Sequence, residues 1–232
     1  MEIDLAMGFV WFSAFLFSTT VHEAMHGLVA WKCGDPTAYH GGQVSLSPVP
    51  HVRREPIGML VLPLLTSLTQ GWVIGWASVP YDPLWAERYP RRAALMAAAG
   101  PAGNFLLAAL ALAMMRSGLA LGWFVAPETA TYEIVVSQAG EGAAFLATAL
   151  SVMLVMNTFL GVFNMLPFPP LDGCAVLKAF LPERYAARLG ELESSGAMSL
   201  VGLVIAWQVF PLVTDPLFST VLRIVHPGES YS

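Results

Sequence analysis

The chain has 232 residues, of which 56% are hydrophobic and 12% are charged, about half the charged share of a typical soluble domain. A soluble protein of this length cannot bury so much apolar surface, because its surface-to-volume ratio is too high. The net charge of −5 and the lack of a basic tract give no sign of nucleic-acid binding. The composition therefore indicates an integral membrane protein, with the lipid bilayer as its surroundings and no nucleic acid among its partners.

Four apolar stretches are long enough to span a bilayer, which takes about 20 helical residues: 5–31, 93–115, 142–166 and 195–213. A fifth stretch, 57–79, has the length but contains Pro63, Gln70 and Gly71. The segment 215–225 is expected to lie at the membrane interface. The sequence thus predicts an all-α polytopic membrane protein with about four transmembrane helices, in which residues 1–232 form one domain.

The first apolar stretch contains the sequence HEAMH, which places His22, Glu23 and His26 in a run of membrane length. On a helix, positions i and i+4 share a face, so both histidines can bind one metal ion. Glu23 is then placed to act as a general base. Chance is the alternative, but a charged side chain at mid-membrane costs about 2.5–3.5 kcal/mol, which favours a metal site.

A catalytic zinc site needs a third protein ligand besides two histidines. The segment NMLPFPPLDG, residues 164–173, ends the third long apolar run and offers Asp172. Its three prolines prevent a regular helix, and irregular backbone at membrane depth is tolerated where protein buries it or where it lines a wet cavity. A simple loop with Asp172 in a turn is the alternative.

The segment AAAGPAGNF, residues 97–105, places small residues and one amide, Asn104, in the second long apolar run. Small residues let neighbouring helices approach closely, but packing does not explain Asn104. This side chain either bonds a neighbouring helix or is catalytic, donating to a substrate carbonyl or a tetrahedral oxyanion.

The motifs HEAMH, GPAGN and NMLPFPPLDG, in this order and spacing, resemble those of the site-2 proteases, the intramembrane zinc metalloproteases. The likeness extends from Val21 to about Leu181. It is closest to the compact prokaryotic branch without a PDZ domain, in which a GDPTA segment follows the HExxH helix, as it does at residues 34–38 of this chain.

This resemblance implies Zn2+ as the cofactor, bound by His22, His26 and Asp172, with Glu23 as the base. It also implies that Asn164 lies in the active site. The reaction expected from the family is hydrolysis of a peptide bond in or near a transmembrane segment. The expected substrate is a membrane protein, such as a single-pass regulator or an anti-sigma factor.

The segment YHGGQVSLSP, residues 39–48, alternates apolar and polar residues and is predicted to form a short membrane-associated hairpin strand. An unwound substrate could add to the edge of such a strand. The predicted substrate-binding residues are Gly42, Val44, Ser45 and Leu46. A solvent-side hairpin with no role in substrate binding is the alternative.

Binding of one metal ion by His22 and Asp172 requires both residues to lie on the same side of the membrane. The chain must then cross an even number of times between them, and the runs 93–115 and 142–166 supply two crossings. If 57–79 also spanned, the two ligands would face opposite leaflets. This stretch is therefore predicted to be re-entrant.

The same topology places most of the basic residues on one side of the membrane. Only Arg116 and Arg223 face one side, while the other side has Lys32, Arg53, Arg54, Arg88, Arg91, Arg92, Lys178, Arg184 and Arg188. Basic residues concentrate in cytoplasmic loops. We therefore expect a multi-pass protein of the plasma (inner) membrane, with its active site toward the cytoplasm.

Two other functions would use similar residues. A membrane metal-transport protein also needs histidines and carboxylates, but it is expected to space its ligands along a pathway and often has an internal repeat, neither of which is evident. A catalytically silent homologue that only binds substrate would be expected to lack Glu23 or a ligand, and this chain has them all.

Overall fold

A computed structural model describes residues 4–140, 142, 144–229 and 231, and helices make up most of this part of the chain. The helices are α1 Leu5–Lys32, α2 Thr37–His40, α3 Val49–Arg54, α4 Leu62–Gln70, α5 Pro83–Arg88, α6 Pro90–Ala120, α7 Ala144–Asn164, α8 Asp172–Lys178, α9 Glu183–Ser194, α10 Gly196–Val209 and α11 Pro211–Val225. A π-helical turn, Ile57–Val61, leads directly into α4. Two short antiparallel strands, β1 Phe124–Val125 and β2 Ser137–Gln138, pair between α6 and α7.

Three of the described helices are long and apolar enough to cross a bilayer: α1 with 28 residues, α6 with 31 and α7 with 21. They coincide, within a few residues at each end, with the first three predicted spans. The pair α9 and α10, bent by 95° where they meet, is a fourth candidate. The prediction of an all-α, multi-pass membrane protein is confirmed.

The predicted fourth span, 195–213, is divided at Pro211. The helix α10 has only 14 residues, and α11 begins at Pro211, because proline fits the first turn of a helix but disrupts a helix interior. The helix α11 includes the segment 215–225 and buries one side of it against α6 and α7. The C-terminal segment is thus part of the helical bundle.

The helix α6 packs against both α1 and α7, which also contact each other. Glycines allow this close approach. A Cβ atom added at Gly103 would lie 3.0 Å from Met25 of α1, and one added at Gly161 of α7 would lie 2.7 Å from the ring of Phe105. Because the backbones approach so closely, polar side chains from all three helices can reach one another.

The apolar stretch 57–79 doubles back on itself. Gly71 ends α4 with a φ of 75°, in the left-handed region that glycine adopts readily. The returning chain then runs beside the start of the stretch, where Trp76 N–H donates to Gly58 O at 3.1 Å. The two ends of the stretch therefore lie side by side, and its re-entrant placement in a membrane stays a prediction.

Asp35 joins the C-terminal end of α1 to the chain that precedes α5. Its buried carboxylate accepts hydrogen bonds from the N–H and the hydroxyl of Thr37, and from Asp82 N–H at 2.8 Å. Burial alone would raise the pKa of Asp35, but these hydrogen bonds favour the ionised form and hold the pKa below its ordinary value. Arg92 of α6 also donates to Cys33 O at 3.0 Å. The end of α1 is therefore fixed beside the start of α6.

The strand predicted within 39–48 is not present. The chain forms the helical turn α2 and then a tight turn, in which Gln43 N–H donates to Ala38 O at 2.9 Å. Gly42 has a φ of 72°, which lies outside the β region. The alternating pattern misled the prediction because the polar Gln43 is buried, whereas Leu46 is 67% exposed.

The residues predicted to bind substrate along that strand have other surroundings. Val44 lies against α1, and Ser45 O accepts a hydrogen bond from His51 Nε2 at 3.1 Å. The predicted edge strand is therefore wrong. Without it, substrate contact stays a prediction for Gly42, Val44, Ser45 and Leu46.

Candidate metal centre

The helix α1 presents His22, Glu23 and His26 on one face. All three side chains are buried, and their candidate ligand atoms lie within 4.8 Å of one another. The spacing of four residues places the two imidazole rings with their centroids 4.5 Å apart and their Nε2 atoms 2.9 Å apart. The HEAMH pattern therefore has the geometry that a metal site requires.

Asp172 is the first residue of α8, and the loop that follows α7 brings it to the histidines. Its Oδ2 atom lies 3.2 Å from His22 Nε2, and its Oδ1 atom lies 3.3 Å from His26 Nε2. The start of α8 fits closely here because Gly173 lacks a side chain, since a Cβ atom would lie 2.2 Å from Met165 O. The structure thus brings the three predicted ligands together from distant parts of the chain.

Hydrogen bonds on the far side of each imidazole fix its tautomer. His26 Nδ1 lies 2.7 Å from Met96 O, a carbonyl oxygen that can only accept. His22 Nδ1 lies 2.6 Å from Asn104 Oδ1, which also accepts, because Nδ2 of the same amide donates to Asn157 Oδ1. Both Nδ1 atoms therefore carry a hydrogen, and both Nε2 atoms face the centre of the site, where they can bind a metal ion.

Two imidazole Nε2 atoms and a carboxylate now face one another. Asp172 Oδ2 is buried and finds no hydrogen-bond donor in the described part of the chain, although His22 Nε2 is 3.2 Å away. Groups this close together require a cation between them, which is either a proton on one ring or a metal ion. Two histidine nitrogens and one carboxylate are a donor set of catalytic zinc sites, which keep a fourth position open. The residues therefore fit zinc.

Gly100 of α6 leaves the space that these ligand atoms require. A Cβ atom at this position would lie 2.3 Å from His26 Nε2 and 2.6 Å from His22 Nε2. A side chain at this position would occupy the space beside the two nitrogens that a metal ion needs. Gly100 is therefore part of the site as well as part of the helix packing that its sequence context predicts.

A buried amide network supports the histidines from α6 and α7. Asn104 Nδ2 donates to Asn157 Oδ1 at 2.9 Å, and Asn157 Nδ2 donates to Ser18 Oγ at 2.9 Å; all three residues are fully buried. Of the two predicted alternatives for Asn104, bonding to neighbouring helices is the one observed. Because its amide is engaged in this way, the predicted catalytic role as a donor to substrate is revised. Asn104 orients His22.

Asn157 and Ser18 were not predicted as site residues. The signal for Asn157 was an amide in the middle of the apolar run 142–166, where a polar side chain is costly unless it has a partner. The partner of Asn157 could have been sought among the other polar residues of the apolar runs, and Asn104 carries an amide that can bond with it.

Asn164, the last residue of α7, has no described contact with the histidines. Its Nδ2 donates to Leu160 O of its own helix at 3.0 Å, and its side chain is partly exposed. A role for Asn164 in the active site therefore stays a prediction. Cys174, two residues after Asp172, is fully buried.

Replacing Asn104 with alanine should weaken zinc binding about 10–100-fold, the usual effect of removing a group that orients a metal-binding histidine. The Nδ1–H of His22 would lose its acceptor, and the ring would no longer be held. Competition with a fluorescent zinc chelator measures the affinity. Gln208→Ala, which removes an amide exposed on α10, is the matched control and should bind zinc as tightly as the unmodified protein. Equal losses in the two variants would contradict the orienting role of Asn104.

Comparison with known families gives one match over most of the chain. The model of Peptidase family M50 matches residues 10–209. The matched range contains all three candidate zinc ligands and Glu23, together with α6 and α7.

Curated relatives are similar over comparable lengths. The protein named "Putative zinc metalloprotease YwhC" from Bacillus subtilis strain 168 is 29% identical over 224 residues, which cover 91% of this chain and 90% of that protein. The Rip2 proteins of Mycolicibacterium smegmatis and Mycobacterium tuberculosis strain H37Rv, which share that metalloprotease designation, are 28% and 30% identical over 83% and 84% of this chain. The chain spans 65% and 66% of their lengths. No solved structure matches the chain significantly.

Proposed function

This chain belongs to peptidase family M50, the site-2 proteases, and is a zinc metalloprotease with several membrane-spanning helices; from that premise we propose that it is an intramembrane endopeptidase. It hydrolyses a peptide bond in or near a transmembrane segment of another membrane protein. The proposed partner is a single-pass regulator or an anti-sigma-like protein, and the proposed process is regulated intramembrane proteolysis.

The depth of the polar site within the bundle carries this proposal. His22 lies ten residues before the end of α1 at Lys32, which is about 15 Å along the helix at 1.5 Å per residue. The hydrocarbon core of a bilayer is about 30 Å thick. A buried site at this depth in a helix of membrane length is placed to receive a peptide chain that is itself in the membrane.

Each residue of the site has a separate role in the hydrolysis. Zinc held by His22, His26 and Asp172 would polarise the scissile carbonyl as a Lewis acid and activate a water molecule at neutral pH. Glu23 accepts a proton from that water at a carboxylate oxygen and later delivers it to the nitrogen of the leaving amine. Asn104 keeps His22 Nε2 directed into the site.

We also propose that the protein lies in the plasma membrane with its active site toward the cytoplasm. The support comes from the basic residues at the end of the bundle nearer the site, where Lys32 ends α1 and Arg91 and Arg92 begin α6. Arg116, toward the other end of α6, donates to Val225 O. The excess of basic residues at one end is typical of a cytoplasmic face.

Cysteine labelling of intact cells should place positions 54 and 87 on the cytoplasmic side. In a protein with Cys33→Ala and Cys174→Ala, the single substitutions Arg54→Cys and Glu87→Cys should resist an impermeant thiol reagent. Glu128→Cys should react. All three positions are exposed on the protein surface, so burial would not explain protection, and all three should react after the cells are permeabilised. Opposite labelling of positions 54 and 87 would show that 57–79 crosses the membrane.

Capture of a substrate tests the proposed function. The Glu23→Gln protein, purified from membranes of its own host in mild detergent, should retain a single-pass membrane protein that the unmodified enzyme releases. The unmodified enzyme should then cleave this partner, and mass spectrometry of the fragments should place the cut within or beside its apolar segment. Cleavage confined to soluble proteins would contradict an intramembrane function.

A further inference from the structure

Thr19 has a buried hydroxyl group that the proposed mechanism does not use. The residue is only 8% exposed, and its Oγ1 finds no hydrogen-bond partner in the part of the chain that the structure describes. Burying a hydroxyl without a hydrogen-bond partner costs free energy. A molecule that bound here and supplied a partner would recover that free energy.

Five other helical threonines of this protein satisfy their hydroxyl groups locally. Each donates to the carbonyl oxygen four residues earlier, at 2.7–2.9 Å: Thr20, Thr66, Thr69, Thr158 and Thr220. This is the usual bond of a threonine within an apolar helix. Thr19 could form the same bond with Phe15 O and does not. Its hydroxyl is therefore free to bond elsewhere.

Thr19 lies on the face of α1 that carries the metal site. At about 100° per residue, His22, Glu23 and His26 lie at about −60°, +40° and −20° from Thr19 around the helix axis. Thr19 is thus centred between the histidines and the glutamate, one turn closer to the start of the helix. Its side chain therefore projects from the same face of α1 as the catalytic groups.

The surroundings of Thr19 change from apolar to polar along this face. One turn earlier, Phe15 packs against Val152 and Met156 of α7 and lies close to Gly75 of the returning re-entrant chain. One turn later the metal site begins. A peptide bound at Glu23 that extends along this face toward the start of α1 would meet the hydroxyl of Thr19.

We propose that Thr19 is a substrate-contacting residue whose hydroxyl hydrogen-bonds to the peptide backbone next to the scissile bond. This inference rests on the proposed peptidase function. An unwound peptide presents free N–H and C=O groups, and a threonine hydroxyl can bond with either because it both donates and accepts. Binding of the peptide gives Thr19 the partner that the chain itself does not supply.

Two hydroxamates separate a contact with the peptide from an effect on the metal. A leucyl dipeptide hydroxamate carries backbone amides as well as a zinc-binding group, whereas acetohydroxamate carries the zinc-binding group alone. In the zinc-loaded enzyme, Thr19→Val keeps the shape of the side chain and removes the hydroxyl. It should weaken binding of the dipeptide about 3- to 10-fold, the effect of one hydrogen bond, and leave binding of acetohydroxamate unchanged. Thr19→Ser retains a hydroxyl and should bind both compounds like the unmodified protein.

Thr20→Val is the matched control, because the Thr20 hydroxyl is already bonded to Leu16 O, and it should change neither affinity. Equal binding of the dipeptide by Thr19→Val and by the unmodified protein would overturn the proposal. If Thr19→Val bound both compounds equally more weakly, the proposal would also be overturned, since Thr19 would then act on the metal site. A zinc-loaded unmodified protein that binds neither hydroxamate would contradict the peptidase function itself, and the contact would fall with it.

Discussion

Replacing Glu23 with glutamine should lower the rate of peptide-bond hydrolysis about 10²–10⁴-fold, the contribution of a positioned general base. Glutamine has nearly the same shape but cannot accept the proton. Glu23 is buried within the same 4.8 Å cluster as His22 and His26, and the variant leaves the three candidate ligands unchanged. Zinc content should therefore stay at about one ion per chain. Cleavage of the captured substrate and metal analysis of the same sample measure both effects.

Glu128→Gln is the matched control, because Glu128 is exposed in the segment between α6 and α7. It should cleave substrate and bind zinc like the unmodified protein. Loss of zinc from Glu23→Gln would make Glu23 a ligand, and undiminished cleavage would remove it from the mechanism. A metal transporter would keep most of its flux in this variant, so a zinc-uptake assay distinguishes that alternative.

Replacing Gly100 with alanine should weaken zinc binding by at least about 100-fold, the upper end of the effect of a disturbed metal-site shell. The added Cβ atom would lie 2.3 Å from His26 Nε2 and 2.6 Å from His22 Nε2. Both imidazoles would have to turn away, whereas metal–ligand distances tolerate changes of only about 0.2 Å. Titration of the purified protein with zinc against a fluorescent chelator measures the loss.

Gly103→Ala provides the comparison on the same helix. Its Cβ atom would meet the flexible side chain of Met25 at 3.0 Å, and that side chain can move. This variant should keep its zinc affinity, and circular dichroism should show the same helix content for both variants. Full zinc binding by Gly100→Ala would mean that the ligand nitrogens do not lie beside α6.

The three candidate zinc ligands, which the structure brings together, could be identified in the sequence because each is a polar residue in an apolar run or beside one. His22 and His26 interrupt an apolar run at helical spacing, which is a local pattern, and Asp172 follows prolines that rule out a regular helix. The long helices α1, α6 and α7 were predictable for a related reason, since bilayer thickness sets the length of an apolar run.

The support of those ligands depends on pairing between helices and could not be predicted in the same way. Asn104 bonds Asn157 across the contact of α6 with α7, and the sequence does not specify which polar residues of two runs will meet. The strand at 39–48 failed for the opposite reason. The local alternation of apolar and polar residues suggested a strand. The left-handed φ of Gly42 and the burial of the polar Gln43 show that the chain turns here instead.

X-ray absorption at the zinc K edge of the purified protein most directly tests the central claim, that His22, His26 and Asp172 bind zinc. The expected spectrum shows two imidazole nitrogens at about 2.0–2.1 Å and oxygen ligands at about 2.0–2.2 Å. It shows no sulfur. A sulfur ligand at about 2.3 Å would implicate Cys33 or Cys174 and contradict the assignment of Asp172, and a single imidazole would contradict the pairing of His22 with His26.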